Sequence, residues 1–119
     1  MRCFDTYPLI EIANGNQKFE TFLNEDFVVT DVTMAEFYYV LLQKYDTSTA
    51  DFWYKKFEHY CVSVPRSILI EAVKFRHINK KMNLSFFDCV GYIFAIKNNY
   101  SFVTGDKEFQ NLRHVLYIQ

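Results

Sequence analysis

The chain has few of the residues that break or staple a fold. Its 119 residues include only three glycines (Gly15, Gly91, Gly105) and two prolines (Pro8, Pro65). This leaves no linker, no low-complexity stretch and no glycine-rich phosphate loop of the kind nucleotide-binding folds use. Cysteine is scarce too. Cys3, Cys61 and Cys89 are odd in number, widely spaced and form no CxxC pair, so a disulfide framework is excluded. His59, His77 and His114 show no ligand spacing with them, which argues against zinc. The three cysteines read as buried free thiols of a reducing compartment. No apolar run approaches the roughly 20 residues needed to span a bilayer. Residues 1–13 carry Asp5 and Glu11 and lack the tail of a signal peptide. These absences point to a cytoplasmic protein with no membrane partner. Charge of one sign is missing as well. A net charge of −1 gives no global attraction to nucleic acid, so any surface that binds a polyanion must be local.

What is present is apolar mass. Half of the residues are hydrophobic and 19% are aromatic, ample for one core and far from a disordered composition. The length suits a single domain over residues 1–119. Strand-length apolar runs at residues 1–4, 27–30, 61–64, 100–104 and 114–118 alternate with segments of helical period. Between them, helices are expected over residues 6–13, 17–23, 33–45, 48–60, 66–79 and 85–97, with a short turn of helix over 107–111. In the helix from Thr33, the residues Met34, Phe37, Tyr38, Leu41, Leu42 and Tyr45 form one continuous face. Strands of this length separated by helices predict a three-layer α/β/α domain around a five-stranded parallel sheet. In such sheets, ligands bind outside the carboxyl ends of the strands.

Four acids fall at that edge. Asp5 ends the first strand and Asp106 follows the fourth. Glu36 is placed in the first turn of the helix after the second strand. Asp88 is placed in the first turn of the helix that runs on into the fourth. Each has a local explanation. Thr33-x-x-Glu36 has the form of a capping box and Ser85-x-x-Asp88 nearly so, while Asp5 suits a helix cap and Asp106 a turn. Their shared edge is what the local explanations leave unexplained. Four neighbouring carboxylates repel one another and take up protons unless a cation neutralises them. Mg²⁺, which prefers carboxylate oxygens and waters, is the natural partner.

These residues carry a resemblance. Phe4-Asp5-Thr6, the segment Met34-Ala35-Glu36-Phe37-Tyr38, Leu84-Ser85-Phe86-Phe87-Asp88 and Thr104-Gly105-Asp106-Lys107-Glu108 follow one another in an order and spacing that resembles the PIN-domain family. Within it, the match is to the short VapC-type toxin ribonucleases, archaeal-like members especially. The resemblance implies a Mg²⁺- or Mn²⁺-dependent endoribonuclease that hydrolyses RNA phosphodiester bonds. Asp5, Glu36, Asp88 and Asp106 would be its catalytic acids, with Asp5, Asp88 and Asp106 on the metal and Glu36 binding through water or orienting the attacking water. Thr104 would support Asp5. Glu108 takes the second acidic place of the last motif, as an outer supporting acid or a surface residue. Glu11 either faces the cleft or is solvated. The resemblance also implies a homodimer and a cognate antitoxin.

The basic run Lys74, Arg76, His77, Lys80 and Lys81 precedes the segment that delivers Asp88. Lys80, Lys81 and Lys107 are the candidate phosphate contacts, the alternative being solvated helix ends. The aromatic excess of Tyr39, Tyr54 and Tyr60 suits a protein interface. Three readings stay open: a toxin ribonuclease, a PIN nuclease of RNA maturation, and a non-catalytic PIN-like module that binds RNA or protein. An aspartyl-phosphate phosphatase would want Asp-x-Asp where this chain has Asp5-Thr6-Tyr7, and a receiver domain would want paired acids near the first strand.

Overall fold

The apolar runs become strands because each must bury both faces, and in the computed structural model, which describes residues 1–119, they pair as one five-stranded sheet. The strands are β1 (Arg2–Phe4), β2 (Phe27–Thr30), β3 (Cys61–Val62), β4 (Ser101–Thr104) and β5 (Val115–Tyr117), in spatial order β3-β2-β1-β4-β5. Every pairing is parallel. The helices are α1 (Thr6–Ala13), α2 (Gln17–Glu20), α3 (Asp31–Lys44), α4 (Thr47–Phe57), α5 (Arg66–Ile78) and α6 (Phe86–Lys97), with short 3-10 turns between several of them. The expected three-layer parallel architecture is therefore the observed one. β3 is shorter than expected, ending at Val62 ahead of Pro65, a residue without the N–H a longer ladder would need.

Alternation along the strands divides the core in two. Cys3 and Phe102 point to one face, Phe4 and Val103 to the other. The first face packs under α5 and α6, through Ile68, Ala72, Cys89, Val90 and Ile93. The second packs under α1, α3 and α4, through Leu9, Phe37, Leu41 and Phe57. Phe4 stacks on Phe27 at 4.2 Å between ring centroids, and Phe27 on Tyr60 at 4.0 Å. Tyr60 is thus half-buried as part of the core wall. Tyr39 and Tyr54 remain exposed, at 59% and 41%.

Close packing needs glycine at one point over the sheet. A Cβ on Gly91 of α6 would come 2.9 Å from the Phe102 ring. Cys3 and Cys89 are buried and Cys61 half-buried, all as free thiols. No helix is long and apolar enough to cross a membrane.

Candidate metal centre

Register delivers the first acid. Phe4 pairs with Val103 in β1–β4, so Asp5 leaves its strand beside Thr104. The Asp5 backbone N–H still donates to Val103 O at 2.9 Å. Its carboxylate is then held at both oxygens: Thr6 N–H donates to Oδ1 at 2.8 Å and Thr104 Oγ1 donates to Oδ2 at 2.7 Å. Asp5 caps α1 and lines the acidic cavity at once. Only 4% of it is exposed, and two hydrogen bonds fix its rotamer. The support expected from Thr104 is present in the geometry, and Thr104 Oγ1 also accepts from Asp106 N–H at 3.0 Å.

Glu36 sits differently from expectation. α3 starts at Asp31, and Thr30 is its cap, with Thr33 N–H donating to Thr30 Oγ1 at 3.0 Å. Glu36 therefore lies in the second turn and closes no capping box with Thr33. The cause is Thr30, an apparent strand residue whose hydroxyl can satisfy a helical N–H. With no cap to serve, the Glu36 carboxylate turns inward and accepts a hydrogen bond from Thr6 Oγ1. Asp88 behaves as expected. Ser85 caps α6, Asp88 N–H donates to Ser85 Oγ at 3.1 Å, and the helix starts at the carboxyl edge of the sheet.

Carboxylate oxygens of Asp5, Glu36 and Asp88 all lie within 4.8 Å of one another. Asp106 lines the same cavity, of about 320 Å³, together with Tyr7, Ile10, Val40 and Gly105. It stands outside the tight trio, because its carboxylate caps the following 3-10 turn by accepting from Glu108 N–H at 3.0 Å. Glu108 and Lys107 are exposed on that turn and do not line the cavity. Glu11 accepts from Asn16 Nδ2 at 2.8 Å and is likewise outside it. Lys80 borders a separate cavity beside α5, and Lys81 is exposed beyond it.

Two contributors carry no site signal of their own in the sequence. Thr6 ties α1 to α3 through Glu36, a contact spanning 30 positions that no local pattern signals. Tyr7 packs so tightly on Gly105 that a Cβ there would come 2.4 Å from its ring. The glycine beside Asp106 was the one available hint.

The electrostatics are those of crowded, buried carboxylates. Burial and then the neighbouring Asp88 push Asp5 up to about 8, against the hydrogen bonds from Thr104 and Thr6. Burial raises Glu36, with Thr6 opposing and Asp88 reinforcing. Burial also raises Asp88, with Ser85 opposing and Asp106 reinforcing. A bound cation would supply countercharge and release these protons. The donor set consists of hard carboxylate oxygens with no sulfur or nitrogen, and the cavity leaves room for several waters. Both properties fit Mg²⁺ or Mn²⁺ and do not fit softer metals.

The fold and this edge of acids define a class of parallel α/β domain with carboxylates gathered at the carboxyl ends of its strands, and likeness to known proteins makes it specific. The PIN domain profile matches residues 2–115, and the chain belongs to the PIN domain family. Similar solved structures include a toxin-antitoxin complex from Klebsiella pneumoniae, 17% identical with a TM-score of 0.76, covering 98% of this chain and 96% of that one. VapBC2 from Rickettsia felis, bound to a DNA fragment from its promoter, is 14% identical with a TM-score of 0.77 over 98% of this chain and 96% of that one. VapC20 of Mycobacterium tuberculosis, a toxin that cleaves the sarcin-ricin loop, is 10% identical with a TM-score of 0.74 over 83% and 84%. At these identities the likeness establishes the shared fold. No curated protein matches the chain in sequence.

Proposed function

We propose that this protein is a metal-dependent endoribonuclease that hydrolyses RNA phosphodiester bonds, and that it acts as the toxin of a toxin-antitoxin pair. The observation that carries the first part is the convergence of Asp5, Glu36 and Asp88 within 4.8 Å at the carboxyl edge of a PIN-domain sheet, with Asp106 on the same wall. The second part rests on its structural neighbours, which include toxin-antitoxin complexes.

Mg²⁺ or Mn²⁺, when bound, supplies a nucleophilic water at neutral pH and countercharge for the phosphoryl transition state. Asp5 and Asp88 would hold it directly, with Asp106 completing the set from the rim. Asp5 is suited to this because two fixed donors orient it before any ligand arrives. Glu36 has one oxygen engaged by Thr6, which leaves Oε2 to take the proton of the attacking water. Its raised proton affinity brings it closer to the pH of the reaction, as a general base requires. Tyr7, Ile10 and Val40 form the apolar side of the cavity. A cognate antitoxin and a homodimer belong to the same proposal, with exposed Tyr39 and Tyr54 as candidate contacts.

The test is cleavage of a labelled RNA with Mg²⁺ or Mn²⁺. Wild type should cut internally, EDTA should abolish cutting, and Asp5→Asn should lower the rate by on the order of 100-fold or more while remaining folded. Wild-type rates from Asp5→Asn would overturn the assignment. A small open reading frame beside the gene, whose product inhibits the enzyme, would separate a toxin from a nuclease of RNA maturation.

A further inference from the structure

A second cavity, of about 410 Å³, lies between the C-terminal end of α5 and the start of α6, and its polar wall is cationic. A reversal of the chain builds it. After α5, a 3-10 turn (Lys80–Met82) ends at Asn83, whose φ of 52° places it in the left-handed region, a conformation asparagine tolerates. The chain turns back there, and Leu84 O accepts a hydrogen bond from Arg76 Nε at 2.8 Å. That bond fixes the guanidinium and leaves its outer nitrogens free for a ligand. His77 and Lys80 line the same hollow, and none of the three enters an ion pair. Lys74, by contrast, pairs with Glu71 at 3.7 Å, and Lys81 is outside the cavity.

Basic residues in the last turn of a helix are commonplace, because they complement the carbonyl end. Here, however, they converge on a concave surface whose remaining wall includes Leu84 and half-buried Phe86. A cationic rim with an aromatic face is the combination that grips single-stranded nucleic acid, charge on the phosphate and ring on the base. The first turn of α6 contributes to both cavities: Phe86 lines this one and Asp88, two residues on, lines the acidic one. In a chain of net charge −1, this hollow concentrates the positive charge that a polyanionic substrate needs near the acids.

We propose that this cavity binds one nucleotide of a single-stranded RNA substrate next to the scissile phosphate, with Arg76, His77 and Lys80 on its phosphate and Phe86 against its base. The proposal rests on the ribonuclease reading of the acidic site and assigns the subsite that positions the strand there.

Two measurements on the whole protein test it. In EDTA, binding of a fluorescent single-stranded RNA is followed by anisotropy across salt concentrations. In Mn²⁺, steady-state cleavage of the same RNA gives KM and kcat. The double variant His77→Gln with Lys80→Gln should raise KM several-fold and leave kcat within about twofold. It should also reduce the slope of log affinity against log salt by about 0.7 for the lost Lys80 charge. Phe86→Leu should weaken binding by about tenfold with little change in that slope. Lys80→Arg should restore part of the affinity. Neither His77 nor Lys80 makes a side-chain ion pair in the fold, and both lie on the surface of the hollow, so loss of binding would not reflect unfolding. Unchanged KM and salt slope in the double variant, with wild type cutting RNA, would overturn the subsite alone. RNA binding that responds to these variants without any cleavage would support the subsite and overturn the ribonuclease reading. Failure of wild type to bind or cut single-stranded RNA would overturn both. Unchanged RNA affinity alongside lost affinity for a poly-glutamate peptide would make the hollow a protein-docking site and reject the nucleotide.

Discussion

Replacing Asp5 with asparagine should make the metal-free protein more stable at alkaline pH and less able to gain stability from metal. Asp5 is 4% exposed, and burial with Asp88 beside it raises its pKa from 3.8 to about 8. A carboxylate whose folded-state pKa lies above its unfolded value contributes stability that is fully present below about pH 3.8 and lost as pH rises through about 8. A displacement of that size is worth at most about 6 kcal/mol at full ionisation. Because Asp5 titrates together with Glu36 and Asp88, the observable penalty at pH 8.5 is smaller than that. The asparagine side chain removes the charge but gives up one of the two hydrogen bonds from Thr6 and Thr104, a cost of about 1 kcal/mol. In EDTA the variant should therefore be slightly less stable than wild type at pH 5 and more stable at pH 8.5. For a chain of this size each 1 kcal/mol of that crossing is about 3–6 °C in Tm. Mn²⁺ at about 100 times its Kd should add about 2.7 kcal/mol to wild type and little to the variant, reversing their order at pH 8.5. Urea unfolding followed by the fluorescence of Trp53, the only tryptophan, reads all of these. Parallel pH profiles for the two proteins in EDTA would refute the mutual strain of these carboxylates.

Four further substitutions have equally definite outcomes. Thr104→Val removes the donor to Asp5 and the acceptor for Asp106 N–H; it should cost about 1–3 kcal/mol in urea unfolding and weaken Mn²⁺ affinity by about tenfold or more in calorimetry. Glu36→Gln should lower kcat by about 100-fold or more in RNA cleavage while Mn²⁺ affinity falls much less, since the proposal gives it the proton. Gly105→Ala should lower Tm because its Cβ would meet the Tyr7 ring at 2.4 Å, and adding Tyr7→Leu should restore most of the loss. Phe57→Ala, at a fully buried ring packed against Phe27, Phe37 and Trp53, should cost about 3–5 kcal/mol without altering metal affinity.

The architecture was legible because its signals are local. Each strand is a short apolar run, and each long helix carries caps or a periodic face that can be read in place. The positions of Asp5, Asp88 and Thr104 were legible for the same reason, since strand ends and a capped helix start fix where they stand. The sequence places Glu36 one helical turn too early because Thr30 reads as strand yet caps α3. Its partnership with Thr6 depends on how α1 and α3 come together, which no spacing encodes. Asp106 reached the expected cavity, but the choice of its carboxylate to cap the next turn is a matter of roughly 1 kcal/mol or less between rotamers and is invisible in sequence. Tyr60 looked surplus because its stacking partner, Phe27, lies 33 positions away in the sequence, in β2.

Everything proposed for the acidic cavity depends on Asp5 and Asp88, with Asp106 at the rim and Glu36 beside them, forming a divalent-metal site. Anomalous diffraction from crystals grown with millimolar Mn²⁺ would decide the matter. The expected result is a peak in that cavity with oxygens of Asp5 and Asp88 within about 2.5 Å. Well-ordered crystals that bind Mn²⁺ elsewhere, with these carboxylates splayed apart and no peak between them, would contradict it.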